Sequence, residues 1–572
     1  MMQQDVLDNV AGEAVVPPQG AVRPGRWVAV WFVVLIAVSL VVRLGDPTGW
    51  VGSDDASYHS AAEHLLAGKT LERVHHQYAR MALIVPVAMS MWVFGDSPAA
   101  VIAPTVVASI GCIALVAVAG WLLWGWAEGL CAACVVSFLP YFRTMSSVAY
   151  PDMHVCLWTT AGVVLALLAV RGRFGPRTWM LGVGCGLTVG LACSAKVFGV
   201  FALVPIVWLT WMSTKWRGRD RLRWVMAVGV GVVAMVFLEG LFYQWSAGDF
   251  WFKLHAIRGA QGDYRYFPSA GYFRHATYGA LAWSRLTMLF RTGLSGWGTL
   301  AVLFFPAALI TCLLSKRGRT VAVWAAATYI FIAVVPVTHR HHWHPFTPFD
   351  GRHILVTCVP FALCFAWVAC RAVSFIGSPV WIRRGLPIAL IGLAWLSQVD
   401  AGTIRGFRDR DTQRCGLAIK ELIASEDWEE GRDICMPASL YIRHRVLFPK
   451  ELRTRLRVVV DDSAPDWWRT ASVDIESRAV PMPNPSDAYL IATPKQLDGE
   501  LEFWDYGVGM PNHELIAWRK TTPRVRMVRY ADKTIAPQRG RTEEGTELLL
   551  LLGGSGHDQQ VVRAEKGVAD AG

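Results

Sequence analysis

Long apolar runs, returning between residues 27 and 399 and separated by short basic loops, constrain this chain more than any other feature. A helix of roughly 20 mostly apolar residues spans the hydrocarbon core of a bilayer, within a range of about 17 to 25. Only segments that satisfy their own backbone hydrogen bonds can cross lipid. Candidate spans lie at 27–43, 99–124, 127–142, 153–170, 179–195, 197–212, 224–245, 295–314, 321–338, 354–376 and 386–399. They describe a polytopic α-helical membrane protein of about 11 spans plus juxtamembrane helices. The run 81–95 is shorter and contains Pro86. It reads either as a further crossing or as a helix lying along the interface.

Composition sharpens the division. Charged residues make up 17% of the 572 residues, against about a quarter in soluble domains. The deficit falls on 27–399, whereas 400–572 reads as an ordinary soluble sequence. Twenty-seven Trp residues suit two long membrane–water boundaries, where indole rings settle. The net charge of +11 sits in loops between apolar runs; that placement is topogenic and argues against nucleic-acid binding. All of the twelve Cys except Cys415 and Cys435 lie in or beside apolar segments, as buried thiols do. Cys131 and Cys134 lack a second pair, so they do not make a zinc site. Cys415 and Cys435 could pair if their domain is extracytoplasmic.

The expected organisation is a cytoplasmic tail (1–26), a multi-span domain (27–399), a small extracytoplasmic α/β domain (400–552) and a disordered tail (553–572). Trp27 to Val42 reads as a retained signal-anchor helix. In the soluble part, Thr412 to Ser425 has helical spacing, and apolar runs at 433–436, 456–460, 488–492, 525–529 and 547–552 read as strands.

Basic loops set the orientation. Arg171, Arg173 and Arg177 form one; Lys215, Arg217, Arg219, Arg221 and Arg223 another; Lys316, Arg317 and Arg319 a third; Arg383 and Arg384 a fourth. The positive-inside rule puts all four in the cytoplasm. With the N-terminus inside, loop parity is consistent only if 81–95 does not cross. The outward loops are then 44–98, 143–152, 246–294 and 339–353, and 400–572 lies outside. Loop 246–294 is itself basic, with Lys253, Arg258, Arg265, Arg274, Arg285 and Arg291.

Chemistry-bearing residues gather on the outward segments. The first outward loop carries Gly52-Ser53-Asp54-Asp55-Ala56-Ser57-Tyr58. Adjacent carboxylates beside a span are costly unless they serve a site, and one can act as general base toward an acceptor hydroxyl. They also suit the cap and first turn of a helix running through Leu66; the two roles are compatible. Asp152 precedes a span, where it could equally cap a helix. Lys196 lies between two apolar runs and needs a partner or an escape to water by snorkelling. The stretch Thr338 to His344 is His-rich, but consecutive His residues rarely converge on one ion, which favours interfacial or substrate-contact histidines over a metal site. Tyr264, Tyr266, Phe267, Tyr272 and Tyr278 alternate with Arg residues, as an interfacial amphipathic segment or a sugar-contacting loop would.

These elements resemble the GT-C superfamily of membrane glycosyltransferases. The resemblance is to family 39 and its relatives: protein O-mannosyltransferases, lipid A aminoarabinose transferases and enzymes with an RgtA/B/C/D-like domain. It covers roughly 27–400 and rests on short motifs. The Asp-acid-x-x-Tyr element after the first span implies that Asp54 is the catalytic base, with Asp55 where Glu is usual and Tyr58 beside the substrate. Asp152 matches an acid that precedes a later span and is placed with the catalytic group. A Gly-rich helix followed by Lys196 and Pro205 matches a lysine at the outer face, suited to a lipid-linked phosphate. Asp350-Gly351-Arg352-His353, ahead of Pro360, resembles an Arg-Tyr-x-Leu-x-x-Pro pattern with His353 in the Tyr position. Arg352 would grip the departing phosphate.

The resemblance implies a polyprenyl-phosphate sugar as donor substrate, a lipid, glycan or protein acceptor, no cofactor or divalent metal, and a multi-pass location in the cell membrane. Asp54, Asp152, Lys196 and Arg352 are expected beside one leaflet. The competing classes are a lipid or sugar flippase and a non-catalytic envelope-assembly relative. A transporter of this kind would show related halves with polar breaks near the midplane, and no internal repeat is evident here.

Overall fold

In the computed structural model the chain divides into two compact units, Met1–Trp50 with Gly68–Arg408, and Val51–Ala67 with Asp409–Gly572. The structure describes residues 26–45, 47–71, 76–172, 174–213, 215–262, 297–334, 336–339, 342–345, 355–375, 431–459, 476–480, 488–492, 525–529 and 547–552, and a few single positions.

The first unit is helical. Its helix α1 runs Arg26–Gly45; α2, Asp54–Leu66, belongs to the second unit. There follow α3 (Met81–Phe94), α4 (Pro98–Leu123), α5 (Trp126–Phe138), α6 (Pro140–Met145), α7 (Pro151–Arg171), α8 (Pro176–Ala195), α9 (Leu203–Met212), α10 (Gly218–Ala247), α11 (Phe252–Gly262), α12 (Trp297–Leu314), α13 (Lys316–Val334) and, past a hairpin, α14 (Cys358–Phe375). Six helices among the described residues are long and apolar enough to cross a membrane: Val28–Gly45, Pro98–Leu123, Pro151–Arg171, Pro176–Ala195, Gly218–Ala247 and Leu355–Val373. Met81–Phe94, Trp126–Phe138 and Val197–Met212 are apolar but shorter. The candidate span 386–399 lies outside the described residues.

One boundary differs from the sequence reading for a physical reason. The span expected at 321–338 begins earlier, at Lys316, and ends at Val334; β1 (Pro336–His339) then pairs antiparallel with β2 (His342–Pro345), His339 opposite His342. Proline cannot donate a helical hydrogen bond, and Pro336 opens the strand. The apolar stretch 179–212 is divided at Lys196, whose backbone is extended (φ −161, ψ 137), and resumes through a 3-10 helix, Val197–Ala202.

The core of this unit is built around α8, which packs between α7 and α10, while α4 packs on α5 and α7. Lipid gives no hydrophobic drive between helices, so close approach of small residues does the joining. At the α8–α10 crossing a Cβ on Gly186 would collide with the Val228 carbonyl oxygen, and one on Gly231 would collide with that of Val183.

Three of the basic loops meet at one end of the helices. Arg171 donates to the Leu122 carbonyl at the end of α4, and Arg317 Nη1 donates to Leu123 O at 2.8 Å. Lys215 Nζ donates to Arg171 O at 2.6 Å, and Trp216 Nε1 to Gly172 O at 3.2 Å. Cations at helix C-termini complement the macrodipole. Arg383 and Arg384 lie outside the described residues.

The second unit holds a six-stranded sheet in the order β5-β4-β3-β6-β8-β7. Its strands are β3 (Asp433–Pro437), β4 (Leu456–Val459), β5 (Ala479–Val480), β6 (Ala488–Ala492), β7 (Val525–Arg529) and β8 (Glu547–Leu552). The pairings β3–β4, β3–β6 and β4–β5 are parallel; β6–β8 and β7–β8 are antiparallel. After β3 the chain forms α15 (Ala438–His444), a 3-10 turn (Arg445–Leu447) and α16 (Lys450–Arg453). Every run read as a strand coincides with one of these strands. Most of the expected helix 412–425 lies outside the described residues.

Candidate functional site

In the second unit, Asp54 and Asp55 open α2 side by side and meet different surroundings. Asp54 is half-buried, and Asp55 is fully buried. Both oxygens of Asp55 accept backbone N–H groups: Oδ2 from Val51 at 2.7 Å and Gly52 at 3.2 Å, Oδ1 from Ser53 at 2.6 Å and Ala56 at 3.1 Å. A carboxylate so surrounded fixes the path of the loop. Burial pushes the Asp55 carboxyl above the usual carboxylate range, against the pull of the Val51, Ser53 and Gly52 N–H groups; the neighbouring Asp54 adds to the push. The N-cap is Ser53, whose side chain makes no capping hydrogen bond, so Asp55 takes over the capping usually done from that position. Gly52 sits at φ +71, a left-handed conformation that glycine adopts without cost. Tyr58 is fully buried. One turn further, His59 Nε2 lies 3.7 Å from Glu63.

In the first unit the structure brings Asp152 and Lys196 together across 44 positions: Lys196 Nζ lies 2.8 Å from Asp152 Oδ1. Asp152 stands in the first turn of α7, and Lys196 caps the far end of α8. The two side chains are 5% and 10% exposed. An ion pair this dry needs good geometry to offset desolvation. The ammonium also lies 5.6 Å above the Phe198 ring, a cation–π contact. Among the described residues the other oxygen of Asp152, Oδ2, is buried without a hydrogen-bond partner, as is Nε2 of His154, two positions along α7. Buried polar atoms are nearly always paired, so this oxygen has room to accept a further hydrogen bond. This pair is at the start of α7 and the end of α8, the opposite end from the contacts of Arg171 at the close of α7.

Sequence reasoning passed over Glu239, whose role the structure shows. Inside α10, Glu239 Oε1 accepts from Ser194 Oγ at 2.6 Å, and Lys253 Nζ donates to both its oxygens at 3.0 and 3.1 Å. Lys253 also donates to the Cys193 carbonyl at 2.8 Å. The last turn of α8 is thus held from α10 and α11, and Lys196 is the next residue. Tyr243 continues the network, accepting from Met81 N–H at 3.1 Å and donating to Tyr78 O at 3.3 Å. The signal was available: an acid in the middle of an apolar run demands a partner. Arg352 and His353 lie outside the described residues, as do Tyr264, Tyr266, Phe267, Tyr272 and Tyr278.

No protein-family model matches the chain, and no curated protein matches it. Among solved structures it resembles ArnT from Cupriavidus metallidurans in the apo state, with a TM-score of 0.53 and 14% identity over 92% of this chain and 98% of that one. The same protein bound to undecaprenyl phosphate gives a TM-score of 0.51 at 14% identity, with the same coverage. The Archaeoglobus fulgidus oligosaccharyltransferase in complex with Zn and sulfate gives 0.47 at 11% identity, over 82% of this chain and 68% of that one. The likeness to ArnT, spanning nearly both chains, shows a shared fold.

Proposed function

We propose that this protein is a membrane glycosyltransferase, moving a sugar from a polyprenyl-phosphate donor to an acceptor hydroxyl at the extracytoplasmic face of the cell membrane. The observation that carries the reading is the buried Lys196–Asp152 pair with its unpartnered Asp152 oxygen, at the end of the helices away from the basic loops. A cation held dry beside an open acceptor suits a phosphosugar: the ammonium faces phosphate charge and Asp152 Oδ2 accepts from a sugar hydroxyl. The shared fold with ArnT, solved with undecaprenyl phosphate, supports the donor class. A polyprenyl tail needs the bilayer, which explains why such an enzyme is built from spanning helices.

In the proposed chemistry Asp54 accepts the acceptor's hydroxyl proton as general base. The acceptor oxygen attacks the anomeric carbon, the bond from that carbon to the phosphate oxygen breaks, and the electron pair leaves with the phosphate. Attack opposite the leaving group inverts the anomeric centre. Lys196 stabilises the negative charge that gathers on the phosphate, and Arg352 is assigned the same role. Asp55 holds the loop that presents Asp54. The acceptor is a lipid, a glycan or a protein bearing a free hydroxyl.

The test incubates membranes containing the full chain with several labelled polyprenyl-phosphate sugars and follows release of the carrier phosphate and labelling of acceptor. Wild type turns over at least one donor; Asp54→Asn, accumulated to the same level, is slower by about 100-fold or more, the usual worth of general-base catalysis. Full activity in folded Asp54→Asn ends the assignment of the base, and absence of turnover with every donor ends the enzyme reading.

A further inference from the structure

The second unit also contains a contact that connects the Asp54 loop to a distant part of the chain. The imidazole of His444, at the end of α15, lies against Gly52: a Cβ added to Gly52 would sit 2.5 Å from His444 Cε1, 2.9 Å from Nδ1 and 3.1 Å from the Arg443 carbonyl oxygen. Next in sequence, Arg445 pairs with Glu63 of α2. The Arg445 side chain is only 6% exposed. Its Nη1 donates to Ile442 O at 3.2 Å, and its guanidinium lies 5.5 Å from the Tyr441 ring centroid. α15 is in turn packed on β3 and β4.

The geometry points to a brace: the segment Tyr441–Arg445 of the C-terminal sheet domain holds the Asp54 loop in its working conformation, with His444 and Arg445 as positioning residues for the reaction. This rests on the reading of Asp54 as the base. The loop is gripped from two sides. Asp55 gathers its N–H groups from within, while His444 and the Arg443 carbonyl close over Gly52, where a Cβ would collide with the imidazole. Glu63 and Arg445 fix the helix that continues from the loop, so α2 cannot turn about its axis without breaking a nearly dry ion pair. Asp54, at the first position of that helix, takes its direction from both grips. A soluble domain far along the chain thereby sets the aim of a carboxylate, without touching substrate.

The experiment uses the full chain in detergent or membranes and has two readouts. Hydrogen exchange of peptides covering 51–56 reports the loop directly, because its amides are those bonded to Asp55. Steady-state kinetics with the active donor separate kcat from KM. In Arg445→Ala, loop exchange accelerates while the strands β3 and β4 keep their protection, and kcat falls by about 100-fold, the scale of a displacement near 1 Å at a reacting group; donor KM stays within twofold. The paired swap Glu63→Arg with Arg445→Glu restores both protection and kcat. His444→Asn gives a fall in kcat of the same sign. Unchanged exchange over 51–56 in Arg445→Ala overturns the brace, as does a kinetic loss confined to KM or a swap that restores nothing. If no donor is turned over by wild type but exchange responds as described, the brace stands as a structural device and the catalytic reading of Asp54 falls.

Discussion

Asp54 and Asp55 share a type and a neighbourhood in sequence, and burial and backbone contacts separate their surroundings. The resemblance singled out Asp54 as the expected base, but the motif could not show that Asp55 is the carboxylate that gathers the N–H groups of Val51, Gly52, Ser53 and Ala56. The same holds for Asp152 and Lys196: each was legible as an ionisable group beside an apolar run, whereas their contact joins positions 44 residues apart and left no local trace. His444 left no signal either, since a lone His in a soluble segment is commonplace. In the structure it is fully enclosed beside Gly52 and Arg443, and burial, helped by the Arg443 charge, holds its pKa down at about 3. The imidazole therefore stays neutral in the fold while the unfolded chain takes up a proton below about 6.5. Stability from this group is present above the unfolded pKa and is lost as pH falls from there toward the folded value, by up to about 1.4 kcal/mol per pH unit. Lowering the pH from 7 to 5 should thus destabilise wild type more than His444→Gln, read as the difference in unfolding temperature shift between the two proteins.

At the scale of elements, long apolar runs found the helices and short ones found the strands, because both signals come from burial of one segment against lipid or a sheet. The break at Lys196 was visible because a charge stands between two apolar runs, whereas the one at Pro336 was read through, within the expected span 321–338. What sequence could not supply was the pairing of helices, which depends on small residues meeting across two chains of contacts. Gly186 and Gly231 face each other's backbones at the α8–α10 crossing, and any Cβ there must push the helices apart. Gly231→Val is expected to cost more than about 2 kcal/mol, at the upper part of the overpacking range, with reduced accumulation in the membrane and a lower unfolding temperature. The conservative reverse case, Gly229→Ala in the same helix, meets nothing within 4 Å and should leave both measures unchanged.

For the whole molecule, charge distribution and helix direction agree. The loops around Arg171, Lys215 and Arg317 meet at one end, where the positive-inside rule predicts the cytoplasm. Asp152 and Lys196 meet at the opposite end, where α7 starts and α8 closes, and Glu239 with Lys253 holds the last turn of α8. Site-directed labelling provides the check. A cysteine at Gly248, just past α10, should react with a membrane-impermeant maleimide in intact cells, and one at Gly175 only after permeabilisation. The reverse result would invert the orientation and move the proposed reaction to the cytoplasmic face. The order of helices along the chain was readable because lipid imposes a length on each one. The assignment of the sheet domain to the Asp54 loop was not, because Glu63 and Arg445 stand 382 positions apart.

The two arginines on the end of α4 also bear on biogenesis. The carbonyls of Leu122 and Leu123 receive their donors from residues 49 and 194 positions later in the chain. A ribosome has therefore long since released α4 when Arg317 emerges to complete its terminus. Until then the last turn of that helix must rely on water or headgroups, so this corner of the bundle is sealed late, by assembly after insertion, and a nascent chain halted before residue 316 carries it open.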